Sequence, residues 1–408
     1  MNENTITSEP AALIAIDWAD QKHDIALLPA GAERAEHLQL AHGPQDLVQW
    51  ACGLRQRFAG RKIAVAVEQK RGALIHALMA YEFFVFYLVN PGTLANFRKA
   101  FKRSGAKSDP LDRDLLLELI QKHRDRLTRW QPDDVHTRHL DLLVQDRREA
   151  VNECTRLGEQ LRATLKNYFP AMLDLAGNVT TVLACKLILK WPNFASLQRA
   201  KPQTLRTFFY AHNFRRPDIL EQRLESVQAA APLCKDVAII GAGQLKAIRL
   251  ARAILTLLPA IKQYDKEIAR LFETHPDAPI FDSFPGAGPA LAPRLLTAFG
   301  SQRDRWQHSL ELATFSGIAA VIEGSGKRSV THWRWACPKF VRQSLHEFAG
   351  ISIRFCPWAK RFYQTQLNRG KGHHVAVRAL AFKWIRILFR CWQDRSTYDP
   401  AKYAPANL

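Results

Sequence analysis

The stretch ALIAIDWADQKHDIALL, residues 12–28, decides how the first part of this chain folds. ALIAID (12–17) and HDIALL (23–28) are apolar runs of strand length separated by a short connection, which predicts an antiparallel hairpin. EHLQLAH (36–42) adds a third extended run. A helical pattern follows at about 44–58, then the strand KIAVAVE (62–68), a helix from about Gly72, the strand FFVFYLV (83–89), and helices from about Pro91 and Pro110. Three strands followed by alternating helices and strands make an α/β layout in which a mixed sheet is covered by helices. This is the element order of an RNase H-like domain, expected over residues 1–130.

Acidic residues interrupt that pattern in a telling way. Asp17 ends the apolar strand ALIAI and Glu68 ends KIAVAV, each an ionisable group where the alternation asks for something buried. A lone carboxylate there costs several kcal/mol unless it is paired or bound to a metal. Parallel first and fourth strands would bring both acids to one sheet edge. Further on, FKRSGAKSDPLDRD (101–114) crowds cations ahead of aspartates. Asp109 just before Pro110 marks a helix start, and Asp112 lies one turn inward. Both could simply cap that helix, since carboxylates in a first turn are stabilising without further duty. Joined to Asp17 and Glu68, however, they would make a pocket of four carboxylates. Oxygen donors at that density select Mg²⁺ or Mn²⁺, and two such ions about 4 Å apart stabilise both the attacking and the leaving oxygen of a phosphodiester. Asp114 is the weaker alternative, turned about 200° around the helix from Asp112. Arg98, Lys99, Lys102, Arg103 and Lys107 would form a cationic lip that draws a nucleic-acid backbone towards the acids.

Charge agrees with such a partner. Lys and Arg outnumber Asp and Glu by 58 to 38, a formal net charge of +20, which favours a polyanion. No apolar run reaches the roughly 20 residues that span a bilayer, and MNENTITSEP lacks the basic and apolar segments of a secretory signal. A cytoplasmic protein without a membrane partner is expected. The seven cysteines are odd in number and contain no C-x-x-C pair, which points away from a zinc ribbon or a disulfide framework.

Residues 131–278 read as a helical, coiled-coil region. Leu140, Val144, Arg147, Val151, Cys154, Gly158, Leu161, Leu165 and Tyr168 follow steps of four and three, a heptad stripe with flaws at Arg147 and Gly158. A second helical pattern runs from about Gln244 to Phe272, with a bend expected at Pro259. The two could pair within or between chains, or belong to an ordinary bundle. Residues 279–395 read as a mainly α-helical domain, followed by a tail at 396–408. FPGAGPALAPRLLTAFG resembles a helix-hairpin-helix, whose glycine turn lets backbone N–H groups approach a phosphate. Between Gly324 and Gln393 there are 14 Lys or Arg against one acid, Glu347, interleaved with twelve aromatics. Cations beside stackable rings suit a nucleic-acid groove. Most of the rings are assigned to the core and most of the arginines to phosphates.

Within that domain, EGSGKRS (323–329) sets Ser325 between two glycines, with Lys327 and Arg328 beside it to hold a phosphate. Arg334 extends the same basic segment. Ser329 is the poorer candidate. A P-loop is excluded by register, because glycine would be needed at Val321 and Ser or Thr at Arg328. His373 and His374 read as a basic loop touching phosphate more readily than as ligands of one ion.

AIDWADQKHDIALL, VAVEQKRGALIHAL, VNPGTLANFRKAFKRSGAKSDPLDRD, PGAGPALAPRLL and GSGKRS together resemble the insertion-sequence one-ten family. These are transposases with a RuvC-like DEDD domain, related to Piv DNA invertases and understood as bridge-RNA-guided recombinases. The resemblance implies that Asp17, Glu68, Asp109 and Asp112 are the DEDD tetrad holding Mg²⁺ (or Mn²⁺), and that Ser325 in the carboxy-terminal transposase domain is the nucleophile. It also implies a covalent phosphoserine, donor and target DNA, a structured noncoding RNA, and a dimer that assembles as a tetramer on the bacterial nucleoid. After Ser325 the family's glycine-rich, threonine-lysine segment is replaced by VTHWRWACPKFVRQSLHEFA, as in a recognised subgroup. Two rivals remain on sequence alone: a metal-dependent Holliday-junction-resolving nuclease using water, and a non-catalytic nucleic-acid-binding protein.

Overall fold

The computed structural model describes residues 9–68, 72–101, 109–325 and 328–403. Contacts divide the chain into two compact units, Met1–Asp133 and Asp134–Leu408.

The first unit contains β1 (Ala12–Asp17), β2 (Lys22–Pro29), β3 (Glu36–Ala41), α1 (Pro44–Arg57), β4 (Ile63–Val67), α2 (Ala73–Leu78), β5 (Phe84–Leu88), α3 (Pro91–Phe101), α4 (Asp109–His123) and β6 (Thr128–Trp130). Its six strands lie in the order β3-β2-β1-β4-β5-β6. β1 pairs antiparallel with β2 and parallel with β4, and β4 is parallel to β5. The hairpin and the alternating layout expected from residues 12–89 are therefore present. β6 closes the sheet antiparallel to β5 and was not foreseen.

Strand alternation sorts side chains into two cores. Ile14, Ile16, Val65 and Val67 face one, with Leu47, Leu54, Leu74 and Ile75 from α1 and α2. Ala15, Ala64 and Ala66 face the other, against Leu115, Leu116, Leu119 and Ile120 of α4. Small alanines on the sheet let α4 settle closely over β1 and β4, and both pairs are in contact.

The second unit begins with α5 (Val135–Tyr168), α6 (Ala171–Ala176), α7 (Val182–Lys190), α8 (Phe194–Gln198), α9 (Pro202–Ala211), α10 (Pro217–Ala229) and α11 (Val237–Glu273). α12 (Ala278–Asp282), α13 (Gly288–Phe299), α14 (Ser309–Phe315), β7 (Val321–Ser325), β8 (Arg328–His332), α15 (Lys339–Phe355), α16 (Pro357–Asn368), α17 (His373–Gln393) and α18 (Pro400–Tyr403) follow. α5 and α11 pack on each other within one chain. Both flaws in the heptad stripe have physical reasons. Arg147 reaches across to Asp265 of α11. At Gly158 a β-carbon would stand 2.3 Å from Thr180 Cγ2, so only glycine permits that approach. Pro259 lies inside α11 without ending it.

Two cores flank this helix pair. One joins the later half of α5 to α6–α10 and to Ala247, Leu250 and Ile254 of α11. The other takes Leu140, Val144, Ile268, Leu271 and Phe272 from the long helices and packs them with Phe281, Phe284, Phe348, Trp384 and Trp392. The indole N–H of Trp384 donates to Ser352 Oγ and that of Trp392 to the Gly300 carbonyl, so these rings are core, as expected. FPGAGPALAPRLLTAFG forms the turn before α13 and α13 itself, with Gly286 at φ +84° in the turn; a β-carbon there would meet Phe355 and Ile351 at 2.8 and 2.9 Å. No described helix is long and apolar enough to cross a membrane.

The start of α5 sets a pH dependence. Asp134 caps it, accepting from Thr137 N at 2.9 Å and Thr137 Oγ1 at 2.7 Å. Burial alone would raise this carboxyl, but the hydrogen bonds outweigh it and hold it at about 2. His275 lies against the same threonine, and burial, then the nearby His136, push it below 6.5. Unfolding restores both groups to ordinary values, so the unfolded chain takes up protons first as pH falls. The urea midpoint should be level above pH 6.5, decline below it because of His275, and decline again from below about 4 towards 2 as Asp134 loses its charge. A midpoint higher at pH 5 than at pH 7 would contradict this linkage.

Candidate active site

β1 runs through the middle of the sheet, and Ala12, Ile14, Ala15 and Ile16 are essentially inaccessible. Its last residue is Asp17. Ile16 and Val67 are Cα partners on parallel strands, so Asp17 and Glu68, the next residue on each, leave the sheet at the same level. Glu68 lies just past the end of β4 and faces a concavity on the side that α2 covers. Both acids are half-buried. A small concavity at these strand ends is lined by Ile16, Trp18, Val67, Glu68, Leu74 and Ile75, with Trp18 exposed at its margin.

The turn after Asp17 is fixed by a histidine that the sequence did not single out. His23 is fully buried; its Nδ1 accepts from Ala19 N at 3.3 Å, and its Nε2 lies 2.8 Å from His42 Nδ1. Burial, then His42, lowers its pKa, which keeps the ring neutral and able to accept that bond.

α4 brings a third acid. Asp109 opens the helix, but its side chain lies outside the described residues, as do Lys102, Arg103 and Lys107. Asp112, one turn in, is 3% exposed. Its Oδ1 accepts from Arg98 Nε at 2.7 Å and Nη2 at 2.5 Å, a charge pair joining the last turn of α3 to the first of α4. Arg98 was expected on a nucleic-acid lip beside Lys99. Lys99 is exposed, whereas Arg98 is turned inwards. Asp114, the weaker alternative, is exposed and accepts from Arg113 at 2.9 Å.

Carboxylates at one level on adjacent strands, with more at the start of the overlying helix, match a hard divalent cation in donor chemistry. Among the described residues no three His, Cys, Asp or Glu side chains converge on one point. Asp112 Oδ1 is held by Arg98.

The second unit carries the serine motif. β7 and β8 form an antiparallel hairpin in which Ser325 and Arg328 are Cα partners, so Ser325 stands at its tip. The side chains of Ser325 and Arg328, and residues 326 and 327, lie outside the described residues. Across the hairpin His332 Nε2 lies 3.2 Å from Glu323. Arg334, expected on phosphate, donates from Nε to the Ala319 carbonyl at 3.4 Å. His373, at the start of α17, lies 2.7 Å from the Tyr363 hydroxyl, and the His374 carbonyl faces His346.

With this geometry in place, the chain can be set beside known proteins. A family model for IS110-type DEDD transposases matches residues 14–170, and a second, for the transposase IS116/IS110/IS902 family, matches residues 278–364. A Streptomyces coelicolor protein named for the transposase of the IS117 mini-circle is 24% identical, with 96% of each chain aligned. The 42 kDa protein of insertion element IS900 from Mycobacterium paratuberculosis is 23% identical, over 95% of this chain and 96% of its own. The 44.8 kDa protein of IS116 from Streptomyces clavuligerus is 25% identical, over 83% and 84%.

Proposed function

This chain belongs to the IS110 family of transposases, and from that premise we propose that it cuts and rejoins donor and target DNA through a covalent bond to Ser325. The observation that carries the proposal is the parallel pairing of β1 with β4, whose register brings the ends of the two strands, and so Asp17 and Glu68, to one level. That pairing, with an antiparallel β2 and β3 on one side and a parallel β5 on the other, supports an RNase H-like, RuvC-like reading of the first unit.

Asp17, Glu68, Asp109 and Asp112 are the residues that would hold Mg²⁺ or Mn²⁺. When bound, such an ion neutralises charge building on the phosphoryl oxygens. Ser325 Oγ attacks phosphorus, the bond from phosphorus to a deoxyribose oxygen breaks, and that oxygen leaves with the proton given up by the serine. The phosphodiester's energy is kept in the protein–DNA link, so rejoining needs no nucleotide cofactor. Lys327 and Arg328 follow the serine closely enough in sequence to steady the same phosphate. A noncoding bridge RNA that selects the DNA, and a dimer or tetramer that brings two duplexes together, complete the reading. The basic tract between Gly324 and Gln393 supports a second polyanion alongside DNA.

Ser325→Ala separates this scheme from a water-using, junction-resolving nuclease. With DNA carrying the element's ends, its RNA and Mg²⁺, the parent protein should yield a detergent-resistant protein–DNA adduct. The variant should yield none, with strand cleavage reduced by at least about a thousandfold. Undiminished cleavage by Ser325→Ala would move the chemistry to water.

A further inference from the structure

Beyond β8 the chain turns through Trp333, Arg334 and Trp335 before entering α15, and this short connection gathers charge in an unusual way. The Arg342 guanidinium of α15 lies 4.7 Å from the centre of the Trp333 ring, and the Arg378 guanidinium of α17 lies 3.5 Å from it. Two cations thus share one indole. Among the described residues neither has a carboxylate within ion-pairing distance, and Glu347, the single acid of the tract, is 2.6 Å from Arg294 instead. Arg342 spends one N–H on the Arg334 carbonyl at 3.1 Å. Arg378 Nε is buried without a hydrogen-bond partner. Burial, then the charge of Arg342, disfavours its charged form, yet an arginine stays protonated at neutral pH.

Like charges brought together and left short of acceptors call for an anion from outside. What kind of anion follows from Trp335. It is 77% exposed, whereas Trp384 and Trp392 on α17 are fully buried. It stands two residues from Trp333, within about 7 Å along the backbone. A free indole face beside a site for one phosphate has the form of a seat for a nucleotide whose base is unstacked. A base inside a duplex has both faces covered and offers none.

We propose that Trp333, Trp335, Arg342 and Arg378 form a nucleotide seat in the second unit, taking one phosphodiester between the two guanidiniums and an unpaired base on Trp335. The proposal rests on the reading of the protein as a nucleic-acid recombinase. It adds a contact distant in sequence from the carboxylates, on the connection that follows the serine hairpin. Trp333 is the ring that both arginines share. Trp335 is the outward platform. Unpaired nucleotides arise in two settings on this reading, the loops of a structured RNA and a DNA strand displaced from its duplex, and the chemistry of the seat serves both.

The test uses the full-length protein and binding alone. Affinities are measured for a 12-nucleotide single-stranded DNA, the matching RNA and the same sequence as duplex, with inorganic phosphate as competitor. Trp335→Ala should weaken at least one single strand by about tenfold and leave the duplex unchanged. Arg342→Gln with Arg378→Gln should reduce the salt dependence of single-strand binding by about one unit in the log–log slope. A 5-iodouracil probe in the preferred strand should crosslink to Trp335. Greater loss on RNA assigns the seat to RNA, and greater loss on DNA to a displaced strand. Equal loss on duplex, no loss on either single strand, or crosslinks confined elsewhere would overturn the proposal. Because Trp335 is exposed, its variant should fold normally, which circular dichroism would verify. A parent protein that binds none of the three probes would instead sink the recombinase reading itself.

Discussion

Asp17→Asn and Glu68→Gln should each reduce DNA strand cleavage by on the order of a thousandfold while leaving the unfolding midpoint nearly unchanged. The size follows from removing a ligand for charge that develops on the phosphoryl group, worth several kcal/mol, at about 1.4 kcal/mol per factor of ten. The selectivity follows from position. Both residues lie at the ends of their strands, half-buried, past the last apolar partners Ile16 and Val67, so neither packs a core. Cleavage is read on labelled DNA at saturating Mg²⁺, and Mn²⁺ binding by titration calorimetry. Each variant should also bind the ion more weakly. A protein whose acids only stabilise its fold shows the reverse pattern: activity kept and stability lost. Full activity in either variant would leave the non-catalytic binder as the better account.

These two acids were legible in the sequence because they break a rule. ALIAI and KIAVAV demand burial on both faces, and a carboxylate at the end of such a run needs a partner or an ion. Their pairing was legible too, since three close strands followed by alternating helices and strands permit few sheet orders. Elsewhere local pattern carried less. Thr128–Trp130 is three residues long, too short for alternation to register, and becomes a strand only because β5 offers an edge. VIEGS and RSVTH look like a glycine-serine turn with surface cations, yet they pair as β7 and β8. α11 begins at Val237, ahead of the start expected near Gln244, and takes in Gly241 and Gly243, a residue type that disfavours a helix interior. Gly243 is instead a point of close approach, where a β-carbon would lie 2.6 Å from the Tyr168 ring of α5. Arg98 shows the same limit. In a run of cations it reads as solvated, and only the meeting of α3 with α4 reveals Asp112 as its partner.

That pair supports the other large effect. Asp112→Ala should lower the stability of the first unit by about 3–5 kcal/mol, a large part of what a domain ordinarily has, because it strands the Arg98 charge with 15% of its side chain exposed. Loss of cleavage in that variant is therefore ambiguous. Replacing both partners by apolar residues of similar size removes the ambiguity, since a buried ion pair exchanged for packed hydrophobes is often neutral in stability. Arg98→Met with Asp112→Leu should recover the urea midpoint to within about 1 kcal/mol of the parent. If Asp112 also serves as a ligand, cleavage should stay absent in the refolded double variant and Mn²⁺ affinity should stay low. If its whole duty is to join α3 to α4, activity should return with stability. Arg98→Met alone sharpens the comparison. It strands the Asp112 carboxylate, which then either destabilises the unit or finds a new counter-ion in the divalent metal. On the proposed reading, added Mn²⁺ should restore much of the stability lost by Arg98→Met and none of that lost by Asp112→Ala. Equal response of the two variants to Mn²⁺ would remove Asp112 from the set of ligands.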